Sequence, residues 1–333
     1  MRLYYKKSLR GLFCFSYDMI FSMKNQVLLF YKYTHIDDPE ALRIEERARC
    51  ERLGLKGRMI IAHEGINGTY EGSVENTEQY IKELTINDQF KDSHFKKSPG
   101  TGNSFPKLSI RVRPEIVSLH LDGEDFNPAD YTAPHLSAEE LHKWYENDED
   151  FVVIDMRNDY EHWVGHFEKS VLPNLENFRD LPKVLPELEH LKDKKVLTVC
   201  TGGVRCEKAS GYLLKNGFKD VHQLDGGMVT YMEKYPTKNF RGAMYVFDQR
   251  SVIDYDNGEH EIISSCTACG DKTERYIDCE YQFCGAKALR CDTCMDSGNV
   301  TCSKLCKLHL KMLPAIKKWR TIKRDIRRSL ART

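Results

Sequence analysis

The stretch "VLTVCTGGVRCEKAS" (residues 196–210) ends an apolar run on Cys200, turns through Gly202 and Gly203, passes Arg205 and enters a helical pattern. A thiol at the carboxyl end of a parallel strand faces the mouth of an α/β sheet, where ligands collect. Two glycines let the chain curl through positive φ. Free N–H groups of the loop, and of a helix beginning near Cys206 or Glu207, then converge on the sulfur. With the Arg205 charge added, such a nest lowers a thiol pKa and populates the nucleophilic thiolate. The step from Cys200 to Arg205 is one residue shorter than in cysteine phosphatases, a ring suited to a small group such as a terminal persulfide sulfur. Taken alone, the loop predicts a sulfurtransferase that carries sulfur on Cys200, with Gly203 and Arg205 shaping the site. Cys206 reads either as a resolving thiol or as a helix residue without a role.

A second concentration of chemistry lies downstream, where eight of the twelve cysteines fall between Cys266 and Cys306. Their order is Cys266-x2-Cys269, Cys279-x4-Cys284, Cys291-x2-Cys294 and Cys302-x3-Cys306. Four pairs suffice for two tetrahedral four-thiolate zinc sites, with Gly270, Gly285 and Gly298 allowing tight turns. The segment has few large apolar residues and needs a staple to fold. Spacing leaves open both the sequential and the interleaved grouping of the pairs, and an iron–sulfur cluster as an alternative to zinc. Beyond it, residues 304–333 hold eleven Lys or Arg and one acid, Asp325. In "LPAIKKWRTIKRDIRRSLART", Lys317, Lys318 and Trp319 fit contact with RNA phosphates and bases, against the alternative of a solvated helix face. "FKKSPGTGNSFPKLSIRVR" supplies a second basic surface, with Lys96, Lys97 and Arg113.

Cys-x-x-Gly-x-Arg after a parallel strand resembles the active-site loop of the rhodanese domain. Upstream, "DMRNDYEHWVGHF" carries Asp155, Arg157, Glu161, Gly165 and His166 in the order of that family, and "LDGGMVTY" matches its closing turn. "CTGGVRCEKAS", preceded by "AHEGINGT" and followed by a cysteine-rich tail, is similar to one subgroup, the rhodanese-related tRNA uridine hydroxylases. The likeness spans about residues 25–310. It implies conversion of wobble uridine to 5-hydroxyuridine with molecular oxygen as co-substrate and tRNA as partner. The loop itself supplies Cys200 as nucleophile, and chemistry offers one route, addition to C6 of uridine to activate C5 toward oxidation. Met156, where a small polar residue is usual, and "EKSVLPNLENF", without the usual Gly-Ala-Ile, depart from the pattern away from the nucleophile loop. Asp155 and Arg157 read either as supporting active-site residues or as a structural ion pair. No iron facial triad, flavin motif or dinucleotide fingerprint is present. A third reading is a non-catalytic zinc- and RNA-binding adaptor. Domains on both sides of the loop favour a macromolecular substrate over free thiosulfate.

The elements that must position these groups are legible in outline. In a 333-residue chain, 41% hydrophobic and 30% charged with zero net charge, there is room for two or three globular domains. No apolar run reaches the roughly 20 residues of a membrane helix. Residues 1–24 read as an extension with Met23 as an alternative start, not a cleaved signal, which places the chain in the cytoplasm with reduced thiols. "VLLFYKYTHI" reads as a strand, Asp38-Pro39 as a helix start, and "GRMIIAHEGINGTY" as two strands. Residues 73–84 read as a helix, and "FPKLSIRVR" with "IVSLHL" as closing strands. That β-α-β-β-α-β order predicts a ferredoxin-like α+β domain over 25–125. A linker at 126–136 leads to an α/β, rhodanese-like parallel-sheet domain over 137–240. There Ser137 and Glu140 form a capping box, and "FVVID" and "KVLTVC" are doubly buried strands. A cysteine-rich, metal-stapled region over 241–313 and a basic tail over 314–333 complete the chain.

Overall fold

The structure, a computed structural model, describes residues 24–121, 126–256 and 258–312. The extension at 1–23 and the tail with Lys317, Lys318 and Trp319 lie outside the described residues. The chain divides into two compact units at Glu261–Ile262.

The first unit begins with β1 (Asn25–Tyr33), α1 (Pro39–Arg52), β2 (Lys56–Ala62), β3 (Gly65–Ser73), α2 (Val74–Thr85), β4 (Lys96–Pro99) and β5 (Leu108–Val112). Asp38 starts α1 by accepting the N–H of Glu40 and Ala41, ahead of Pro39 in the first turn. The sheet runs β4-β1-β3-β2-β5, antiparallel except for the parallel β2/β5 pair. Alternation along β1 divides its side chains between two cores. Leu28 and Phe30 pack under the helices with Tyr70 and Tyr80, while Leu29 and Tyr31 face the following domain. Each fully buried apolar side chain of this kind stabilises the fold by about 1.5–3 kcal/mol.

The expected strand "IVSLHL" does not form. The Glu64 carboxylate takes the N–H of Ile116, and the Glu115 carboxylate accepts the N–H of Leu119 and His120. Three of the segment's backbone donors are thus taken by side chains and not by a ladder partner.

The second part of the unit comprises β6 (His135–Leu136), α3 (Ala138–Glu146), β7 (Val152–Asp155), α4 (Asp159–His162), β8 (Gly165–Phe167) and β9 (Ser170–Val171). After these come α5 (Leu181–Leu188), β10 (Lys195–Val199), α6 (Val204–Lys215), β11 (Asp220–Leu224) and α7 (Gly227–Lys234). The capping box of Ser137 and Glu140 is formed. The sheet order is β6-β11-β10-β7-β9, parallel throughout. Its central strands are buried on both faces: Ile154 and Val196 join one core, Val153, Leu197 and Val199 the other. The short strands β12 (Phe240–Gly242), β13 (Met244–Tyr245) and β14 (Val252–Ile253) follow. β12 pairs with β8, so in the structure these strands pack with the first unit.

The second unit holds β15 (Tyr276–Asp278), β16 (Lys287–Leu289) and α8 (Asp292–Asp296), with helical residues at 304–312. Among the described residues, no helix is long and apolar enough to cross a membrane.

Candidate active site

Cys200 follows the last residue of β10 and is fully buried. The helix behind it starts at Val204, two residues earlier than expected. Gly203 is the reason: at φ +99° it turns the chain directly into α6, a conformation that glycine tolerates. The Gly203 N–H donates to Cys200 Sγ at 3.2 Å. A Cβ on Gly203 would lie 2.8 Å from Tyr31 Oη, and one on Gly227 would lie 2.7 Å from the Cys200 carbonyl oxygen. The loop is thus clamped between β1 and the turn before α7.

Burial opposes ionisation of Cys200. A hydrogen bond from the Cys206 thiol, the Arg205 charge and the backbone N–H groups of Cys206 and Arg205 outweigh it and bring the thiol down to about 6. Cys206, also fully buried, is pushed upward by its own burial and by the Cys200 thiolate. The pair therefore shares its charge unequally: Cys200 holds the negative charge and Cys206 keeps the proton and donates it.

Arg205 does not stand free beside the sulfur. Its guanidinium forms a fork with Glu161, Nη1 to Oε1 at 2.5 Å and Nη2 to Oε2 at 3.0 Å, and lies 5.6 Å from the centroid of the Phe247 ring. Glu161 is fully buried, so the Arg205 charge is positioned and largely balanced by this carboxylate. Asp155 and Arg157 pair with each other, Nη2 to Oδ2 at 2.7 Å, and Arg157 Nη2 also donates to the Gly165 carbonyl. Both are fully buried, and neither lines the cavity beside Cys200. Their geometry is that of a structural ion pair bracing the loop after β7.

The N-terminal sheet roofs the cysteine loop. Leu29 and Tyr31 from β1, Arg58 and Ile60 from β2, Asn67 and Thr69 from β3, and Lys96 from β4 enclose a cavity of about 340 Å³ whose floor includes Cys200, Thr201 and Arg205. Its far wall is Val246 to Asp248 with Arg250. Arg250 ties that wall to β4, donating to Ser98 Oγ and the Pro99 carbonyl while pairing with Asp248. Tyr31 Oη donates to Glu207 of α6 at 2.9 Å, and buried Lys208 bridges Glu64 and Glu115. These contacts fix the roof to the floor.

The expected basic surface is divided by this arrangement. Lys96 is only 8% exposed and belongs to the cavity, not to an outer face, because β4 runs antiparallel to β1 at the edge that covers the cysteine loop. Lys97 also lines the cavity but pairs with Glu78 at 2.6 Å, while Arg113 is exposed beyond the end of β5.

In the second unit the eight cysteines fall into two groups, Cys266, Cys269, Cys291 and Cys294, and Cys279, Cys284, Cys302 and Cys306. The grouping is interleaved: antiparallel β15 and β16 bring the first pair to the third and the second to the fourth. Within each group all sulfurs lie within 4.8 Å of one another, with Cys269–Cys291 and Cys284–Cys302 at 3.5 Å. Tetrahedral thiolates about 2.3 Å from a zinc ion sit about 3.8 Å apart, so the residues present fit such an ion. The Cys302 N–H donates to Cys279 Sγ at 3.4 Å. All eleven described cysteines are free of disulfides.

Three known domain families match the chain in succession: the UPF0176 acylphosphatase like domain over residues 25–116, the rhodanese-like domain over 137–234 and the rhodanase C-terminal region over 241–307. The tRNA uridine(34) hydroxylase of Cytophaga hutchinsonii is 43% identical over 289 residues, 87% of this chain and 92% of that protein. The chain belongs to the tRNA uridine(34) hydroxylase family. Proteins of that name from Enterococcus faecalis and Staphylococcus aureus are 44% and 47% identical, over 86% and 80% of this chain and 91% and 84% of their own lengths. A crystallised rhodanese-like domain protein of Staphylococcus aureus is 26% identical, covers 29% of this chain and 90% of its own, and gives a TM-score of 0.26.

Several residues in and behind this hydroxylase-family cavity carry no assignment from sequence. Glu161 was visible within "DYEHW", but its buried fork to Arg205 was not. Tyr31 was detectable only as the outward phase of a strand alternation. Arg58, Phe247 and Arg250 come from segments remote in sequence, and no local signal brings them to Cys200.

Proposed function

We propose that this chain hydroxylates C5 of uridine 34, the wobble uridine of tRNA, with Cys200 as the nucleophile. The observation that carries the reading is the cavity itself: a thiol inclined to ionise lies on the floor of a roofed pocket lined by cations and apolar side chains. Its volume of about 340 Å³ is at the small end of the roughly 300–1,000 Å³ range of ligand pockets, a scale suited to one extruded base. Phe247, 37% exposed at the wall and flanked by Arg58 and Arg205, offers a surface on which a base can stack. Thiolate addition to C6 of the uracil makes C5 electron-rich and open to oxidation. Molecular oxygen is the proposed co-substrate: one atom becomes the 5-hydroxyl, and the other leaves as water on taking two electrons from an external reductant.

The cysteine groups of the second unit are proposed to hold two zinc ions, which when bound supply a structural staple. Arg113, Lys317, Lys318 and Trp319 are proposed to contact the tRNA backbone and bases outside the cavity, and Lys97 to do so at its lining. Incubating the purified chain with unmodified tRNA in air and digesting the tRNA for nucleoside mass spectrometry tests the reading. The expected product is 5-hydroxyuridine, confined to position 34. A Cys200 persulfide that passes to an acceptor, with no hydroxylated uridine, would contradict it.

A further inference from the structure

Lys96 combines the burial of a core residue with an ionisable amine. Among the described residues, no carboxylate pairs with its ammonium. Its neighbours are the Tyr31 ring, 5.3 Å from Nζ to centroid, and the turn before α7, where a Cβ on Gly226 would lie 3.3 Å from Lys96 Cε. The next residue of that turn, Gly227, packs against the Cys200 carbonyl. The lysine stem therefore lies on the turn that closes the cysteine loop, and Lys96 and Cys200 line one cavity. Burial lowers the Lys96 pKa, and the charge of Cys200, with the more distant carboxylates of Asp225, Glu233 and Glu207, opposes that shift. Removing an ammonium from water without a paired partner is costly. A fold that accepts this cost beside a nucleophile presents a proton donor to whatever enters the cavity.

We infer that Lys96 is a catalytic residue that donates to O4 of the uracil and holds the negative charge formed there as Cys200 adds to C6. The inference rests on the function proposed above. In the step, the sulfur lone pair forms the S–C6 bond, and the C5–C6 π pair moves toward C4 so that charge collects on O4 as an enolate. No oxidant is consumed. Protonation of C5 by solvent, removal of a C5 proton and expulsion of the thiolate reverse the addition and exchange the C5 hydrogen. A cation placed at the developing oxyanion acts where charge appears in the transition state. The same contact selects the base, because uracil offers an acceptor at O4 where cytosine presents an amino donor.

The experiment is C5 hydrogen exchange. The full-length chain is incubated with unmodified tRNA in deuterated buffer under argon, and deuterium at C5 of uridine 34 is read by nucleoside mass spectrometry. Wild type should exchange, and Cys200→Ser should not. Lys96→Met should slow exchange on the order of 10²–10³-fold, as expected for loss of an oxyanion donor, and Lys96→Arg should restore part of it. The salt dependence of tRNA binding should stay as in wild type, whereas loss of a phosphate contact would reduce the log–log slope by about 0.9. Circular dichroism of the variants separates catalytic loss from misfolding. Exchange at the wild-type rate in well-folded Lys96→Met overturns the inference. So does a loss of exchange matched by an equal loss of tRNA affinity and a flatter salt slope, which makes Lys96 a phosphate contact. Wild type that hydroxylates tRNA in air but exchanges nothing under argon overturns the adduct and this inference with it, and leaves only the hydroxylation of uridine 34 standing.

Discussion

Replacing Cys206 by alanine should raise the pKa of Cys200 while leaving the loop in place. Cys206 sits in the first turn of α6, fully buried, and its thiol is the foremost of the groups that stabilise the Cys200 thiolate. A hydrogen bond to a charged group contributes about 1.5–3 kcal/mol. At 1.36 kcal/mol per pKa unit, its loss should raise the Cys200 pKa by about 1–2 units. The thiol that ionises at about 6 should then ionise between about 7 and 8. The sign follows from the chemistry: the reactive form is the anion, so reactivity rises with pH through the pKa and then levels. Alkylation of Cys200 across pH, followed peptide by peptide by mass spectrometry, reads the midpoint separately from the other cysteines. Near-neutral activity should fall in the variant and recover at higher pH. A midpoint still near 6 in Cys206→Ala would refute the reasoning and leave Arg205 and the backbone N–H groups as the whole cause.

Two further expectations concern the supports of the site. Glu161→Gln strands the buried Arg205 charge and should destabilise the first unit by about 3–5 kcal/mol, as breaking one side of a buried pair does; a denaturant-unfolding shift below about 1 kcal/mol would mean that Arg205 finds another partner. Elemental analysis of chain purified without chelator should find about two zinc ions, one per four-cysteine group. The double variant Cys266→Ser/Cys291→Ser should keep one ion, and Cys266→Ser/Cys279→Ser should lose both. The reverse pattern would show a sequential grouping.

Local chemistry was legible in the sequence; what depends on the meeting of distant segments was not. Cys200, Gly203 and Arg205 announce themselves because a tight anion-holding loop needs those residue types at that spacing. The helix start was misplaced by two residues because Gly203, at positive φ, itself makes the turn into α6. "IVSLHL" has the composition of a strand, yet Glu64 and Glu115 take the N–H of Ile116, Leu119 and His120, a choice made by carboxylates no propensity scale registers. Cysteine spacing predicted two groups of four and could not choose between groupings, because the choice depends on how β15 and β16 pair. Lys96 looked like an ordinary surface lysine beside Lys97. Only the register of β4 on β1, together with the docking of that sheet over the cysteine loop, buries Lys96 in the cavity beside the nucleophile and leaves Lys97 at the cavity lining, paired with Glu78.

The central claim is that Cys200 is the nucleophile of an oxygen-dependent hydroxylation of uridine 34, and one measurement addresses it directly. Wild type and Cys200→Ser are given the same unmodified tRNA under oxygen and under nitrogen, and 5-hydroxyuridine is quantified by nucleoside mass spectrometry. Serine fits the loop but stays un-ionised at neutral pH. The account predicts product from wild type under oxygen only, and none from Cys200→Ser with its fold intact. Product from Cys200→Ser at the wild-type level, or from wild type without oxygen, would contradict it.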